Sequence, residues 1–201
     1  TEGELGSRGT VETRYEEATA ASKIMGVQYR ENLQMADGFF EITEENLLKI
    51  IVQIRRYQPE VVLCNAIEDR HPDHGRASQL ASRACFLSGL LKIKTSWEGV
   101  EQKHWRPKAV YHYIQDRDIK PDLVVDISSV ADQKFEAIMA YKTQFYDGKG
   151  EGPQTPISGK DFITYLKGRW ATTGRNIGVE YGEGFTVERV IGVDDLTKDI
   201  Y

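Results

Sequence analysis

The sequence predicts an α/β domain, a Rossmann-like three-layer sandwich around a mostly parallel sheet. Short apolar runs at 61–65, 109–114 and 123–127 alternate with segments of helical periodicity at 44–57, 77–93, 131–145 and 160–173. The 201 residues, 40% hydrophobic and 28% charged, are enough for one core of ordinary composition. Two of the four histidines fall in one box, Asp69-Arg70-His71-Pro72-Asp73-His74-Gly75, just after the run Val61-Val62-Leu63-Cys64-Asn65. Open α/β sheets place ligands and chemistry beyond the C-terminal ends of their strands, which is where this box falls.

Each element has a local reason. Residues 1–10 are rich in Gly, Glu and Thr and read as a loop. Glu12–Met25 reads as a helix stopped by Gly26. Val27–Asn32 reads as a short strand and Ala36-Asp37-Gly38 as a turn. Glu44–Tyr57 is a strong helix with Thr43 as N-cap and Leu47, Leu48, Ile51 and Ile54 on one face. Asn46 at its third position leaves the full capping box unformed. Strand 61–65 leads into the histidine box as a loop, and a helix follows from about residue 76, running to Ile93. Lys94–Pro107 is a polar loop with two tryptophans. Ala109–Ile114 and Leu123–Ile127 are strands, Ala131–Phe145 a helix, Asp147–Gly159 a glycine- and proline-containing surface loop, Lys160–Thr173 a helix, and Phe185–Val190 a last strand. Read from Thr1, the expected sheet is without an opening βαβ unit.

Composition excludes several classes. A net charge of −5 without a basic stripe argues against nucleic acid. No apolar stretch approaches membrane-spanning length. No GxGxxG or GxxxxGK[ST] motif supports a nucleotide-binding domain. Cys64 and Cys85 fall in a predicted core strand and helix and read as buried free thiols in a reducing compartment.

In the box, two imidazoles with a carboxylate between them suggest a divalent metal and a bound water. The structural alternative is two loop histidines, one of them capping the next helix. Pro72 pushes His71 toward an extended conformation, so the rings need not share a direction and one can bind metal while the other faces substrate.

The chain resembles the PIG-L/LmbE-like family of zinc-dependent N-acetylglucosaminyl deacetylases. It is most similar to the branch that deacetylates N-acetylglucosaminyl malate in bacillithiol biosynthesis. The resemblance is carried by Thr1-Glu2-Gly3-Glu4-Leu5-Gly6-Ser7-Arg8-Gly9-Thr10, Thr13-Arg14 with Glu17-Ala18, and Arg30-Glu31-Asn32-Leu33 with Asp37-Gly38. The His71-Pro72-Asp73-His74-Gly75 box and Tyr181-Gly182-Glu183-Gly184-Phe185 complete it. The family's earlier Ala-His-x-Asp-Asp box, source of two metal ligands and the general base, is not in this sequence. The expectation is a single deacetylase domain over 1–201, N-terminally incomplete. The alternative is a non-catalytic sugar-binding or assembly module without the first metal box.

The resemblance implies a cytoplasmic enzyme, a homo-oligomer of up to six copies, acting on a small sugar conjugate with one zinc or other divalent metal per subunit. It implies His74 as metal ligand and His71 and Asp73 as the catalytic pair. His71 stabilises the oxyanion or protonates the leaving amine, and Asp73 bonds one of the rings to set its tautomer. Arg14, Asp37 and Arg70 bind substrate: Arg14 by forked bonds to a carboxylate or hydroxyls, Asp37 by accepting from sugar hydroxyls, Arg70 by lining the pocket. The structural alternatives are an N-cap for Asp73, a helix pair with Glu17 for Arg14, a turn for Asp37 and a solvated charge for Arg70. Glu183 has no assigned role. His112 reads as structural, and Trp97, Trp105, Tyr111 and Tyr113 as core or interface aromatics rather than a sugar platform.

Overall fold

The computed structural model describes residues 1–146 and 152–198. Part of the expected 147–159 loop, residues 147–151, therefore lies outside the described residues. The α/β architecture is the expected one. The described residues group into two compact units, Thr1–Asp37 with 124–183, and Gly38–Leu123 with 184–198.

In the first unit, α1 (Val11–Met25) starts at Thr10, whose side chain accepts from the Thr13 amide while Thr13 returns the bond. It ends at Gly26, whose φ of 69° is the left-handed conformation that closes the helix. α4 (Ala131–Met139) packs against α1, and Glu17 on α1 is buried, accepting from the Thr143 amide and hydroxyl. α5 (Lys160–Arg175) carries Gly174 against Gly182, where a Cβ would lie 2.8 Å from backbone. Glycine there reflects close backbone approach.

The second unit holds the histidine box. α2 (Glu44–Tyr57) is capped by Thr43 as expected. It packs on α3 (Pro72–Leu87), and Ile51, Ile54, Ala84 and Cys85 form the core between them, with Val62 and Val110 against it. β1 (Val61–Cys64) runs parallel to β4 (Ala109–Tyr113), in register from Val61↔Ala109 to Cys64↔His112. A small hairpin, β2 (Ser96–Trp97) and β3 (Val100–Glu101), interrupts the expected polar loop. With β5 (Leu123–Asp126) and β6 (Gly182–Val187), the sheet order is β1-β4-β6-β5. β6 is antiparallel to β4, which makes the sheet mixed.

Several boundaries differ from expectation for identifiable reasons. Residues 27–32 form no strand: the Val27 amide turns back to Ser22 O, Val27 and Tyr29 are exposed, and no neighbour completes a ladder. α3 ends at Leu87 rather than Ile93, because the following carbonyls are taken by Arg55. α4 stops at Met139, and tighter turns carry the chain to Phe145. β6 begins at Gly182 because its glycines admit close neighbours. Both cysteines are buried and free, and burial pushes each thiol up to about 12.

Candidate functional site

The histidine box runs from the loop after β1 into the first turn of α3. His71 is the N-cap, extended at φ −82° and ψ 126° as the residue before proline must be, and Pro72 opens the helix. The His71 Nδ1 accepts from the Asp73 amide at 3.2 Å. That bond uses the Nδ1 lone pair and leaves Nε2 as the N–H of the neutral ring. One of the histidines therefore does cap the helix, as the structural alternative held, and still keeps a donor free.

His74 sits one turn along, with its Nδ1 hydrogen-bonded to Asp69 Oδ2. Burial pushes the Asp69 carboxyl up, but the His74 bond and amide donors at Arg117, Arg70 and Asp116 outweigh it and hold the group below its ordinary range. An ionised Asp69 accepts Nδ1–H and fixes His74 in the tautomer whose Nε2 carries a lone pair. The two rings stack with centroids 5.1 Å apart and planes 28° from parallel. A donor nitrogen on His71 thus stands beside an acceptor nitrogen on His74, next to a cleft of about 580 Å³ whose walls include Glu41, Asp69, His71, Arg76 and Gln79.

Asp73 does not bond either ring through its carboxylate. Its Oδ2 accepts from the Gly38 amide at 2.7 Å and its Oδ1 from Arg76 Nη1 at 2.8 Å. The ring-orienting carboxylate is Asp69, two positions before the histidines begin. Arg70 turns to Asp116, with Nε 2.6 Å from Oδ2 and a half-exposed side chain, and does not line the cleft.

Arg14 and Asp37 belong to the first unit. Arg14 Nη2 donates to Arg8 O at 3.3 Å, while its Nε is buried without a hydrogen-bond partner among the described residues. Burial lowers the basicity of this guanidinium against the opposing charges of Glu17, Asp37 and Tyr141. A buried donor so placed has room for an acceptor from water or a ligand. Asp37 Oδ2 accepts from the Leu5 amide at 3.2 Å, and its own amide donates to Glu4 at 2.6 Å, so it holds the glycine-rich loop to the turn.

The fit to zinc is partial. His74 has the arrangement of a metal-binding imidazole, with a carboxylate on Nδ1 and Nε2 open. A catalytic zinc takes three protein ligands. Among the described residues no group of three or more His, Cys, Asp and Glu side chains could hold a metal. His74 is thus one ligand position, not a complete site.

A family model described as "PIG-L: GlcNAc-PI de-N-acetylase" matches residues 1–85, which include Arg14 and the histidine box. Diacetylchitobiose deacetylase from Thermococcus kodakarensis is 29% identical over 150 residues, 72% of this chain and 54% of that protein. 4-Oxalmesaconate hydratase from Pseudomonas putida is 30% identical over 147 residues, 71% of this chain and 55% of that protein. The chain spans about half the length of these curated relatives. Among solved structures, the conserved protein TT1542 from Thermus thermophilus matches with a TM-score of 0.81 at 34% identity, over 96% of this chain and 80% of that one.

Proposed function

The chain belongs to the PIG-L family, and from that premise we propose that it is a hydrolase removing the N-acetyl group from an N-acetylglucosaminyl conjugate. The observation that carries the reading is the pair of stacked imidazoles beside the cleft, one ordered by Asp69 and the other offering a donor. Hydrolysis breaks the amide C–N bond, with water giving its hydroxyl to the acyl carbon and a proton to the departing amine. As the carbonyl oxygen gains charge, the His71 Nε2–H is the group in this unit suited to hydrogen-bond it.

The finer reading is N-acetylglucosaminyl malate as substrate. It is supported by the buried unpartnered Nε of Arg14, since a guanidinium suits a carboxylate. Zinc rests on His74 alone and on the family resemblance. The cytoplasm and a homo-oligomeric, hexameric state rest on that resemblance alone. No helix among the described residues is long and apolar enough to cross a membrane.

The hydratase relative supports a second reading, addition of water to a carbon–carbon double bond. Assays separate them. Incubation with N-acetylglucosaminyl malate should release acetate and a free amine in equal amounts. Hydration of 4-oxalmesaconate without acetate release favours the hydratase, and sugar binding without any product favours a binding module. In a chain that also carries the family's Ala-His-x-Asp-Asp box, His74→Ala should lower metal content per chain and abolish turnover. Unchanged metal content removes His74 from the metal's ligands.

A further inference from the structure

His112 is 3% exposed on β4 and has more partners than a core histidine needs. Its Nδ1 lies 2.9 Å from Asn65 O, 2.8 Å from Ser78 Oγ and 3.3 Å from Cys64 Sγ. Its Nε2 lies 2.9 Å from Glu188 Oε1. The ring thus has the Asn65 carbonyl and the Ser78 hydroxyl on its Nδ1 side and the Glu188 carboxyl on its Nε2 side.

The partners of this ring lead to both ends of the Asp69–His74 bond. Asn65 follows β1 and starts the segment that carries Asp69; its side chain donates to Gln115, beside the 116–117 amides that hold Asp69. Ser78 lies four residues after His74, on the same face of α3. One buried ring thus fixes the carrier of the carboxylate and the carrier of the imidazole, and Glu188, just past β6, fixes the ring.

We infer that His112 and Glu188 form a positioning couple that sets the Asp69–His74 geometry. Neither touches the cleft chemistry; they act through the segments they hold. The use of this couple in turnover rests on the deacetylase reading, but its geometry does not. Small displacements of reacting groups cost large factors in rate, about 10²-fold for 1 Å.

Glu188→Gln keeps size and hydrogen-bonding capacity and removes the carboxyl that faces Nε2. Imidazole 1H–15N spectra of the labelled chain should show the His112 ring resonances shifted in the variant. The His74 Nδ1–H resonance should move with them, although Glu188 does not touch His74. Turnover should fall about tenfold or more at unchanged KM and unchanged melting temperature. A His74 resonance and kcat that stay put while the His112 resonances move overturn the inference. Ser78→Ala, which cuts one tie to α3, should move the same His74 resonance if Glu188→Gln proves unstable. A wild type that moves the His74 resonance through Glu188 yet turns over no N-acetylated sugar would sink the deacetylase reading and leave the couple standing.

Discussion

At Asp69, burial and hydrogen bonding pull in opposite directions, and hydrogen bonding wins. Its carboxyl loses its proton more readily in the folded chain than in the unfolded one. Its contribution to stability is therefore complete above the unfolded aspartate range and drains away as pH falls through the lower folded value. Asp69→Asn should cost about 2–3 kcal/mol near neutral pH, the worth of hydrogen bonds to a charged group. Denaturant melts at about pH 7 and about pH 4 should show the wild type losing more stability between them than the variant; equal losses would mean the carboxylate is not held as described. Gly6 is a second such position. A Cβ there would lie 2.7 Å from Arg14 Nη2 and 3.0 Å from Gly3 O. Gly6→Ala should displace the guanidinium and raise KM roughly tenfold with kcat little changed, about one charge-assisted hydrogen bond; a rise confined to kcat would take Arg14 out of binding. The histidines were legible in the sequence from their box. Asp69 was not, because Asp73 lies between the rings in sequence and Asp69 reaches His74 only once the helix begins at Pro72.

Helix α3 does two jobs at its first turn. His71 caps the helix through Nδ1 and offers chemistry through Nε2, so stability and catalysis can be separated by substitution. His71→Asn keeps a cap-competent side chain. It should melt within about 0.5 kcal/mol of the wild type, against about 1 kcal/mol lost by His71→Ala, while both lose roughly 10²–10⁴-fold in kcat. If the asparagine variant keeps its rate, the His71 ring serves the helix only. α1 and α2 were readable because caps, periodicity and stop signals agreed. Residues 27–32 looked like a strand by composition, but a strand exists only with a partner, and pairing is a property of the sheet that local sequence does not state. The start of α3 was missed although proline at the first helical position announces it. Its end was hidden by Arg55, thirty-three residues before Ser88, whose carbonyl it takes.

Across the whole molecule, the sheet ends on β1, which has no strand on its outer side among the described residues. Val61 and Leu63 on it are 50% and 58% exposed. Such an edge templates further pairing, and a lysine blunts it. Leu63→Lys should lower light scattering of a concentrated sample without lowering the melting temperature; unchanged scattering would locate self-association elsewhere. The partner of β4 on its other side has a different consequence. β6 pairs Tyr111 with Val187 and Tyr113 with Phe185, across more than seventy residues of intervening chain. On a ribosome, β1, α3 and β4 emerge well before the strand that closes them and before Glu188, which reaches His112. The nascent chain must therefore wait with β4 half-paired and its buried histidine unmatched, and the site matures only once residues 182–188 have emerged. Stalled chains ending before residue 182 should remain protease-sensitive through the histidine box, and those extended past Glu188 should become resistant in one step.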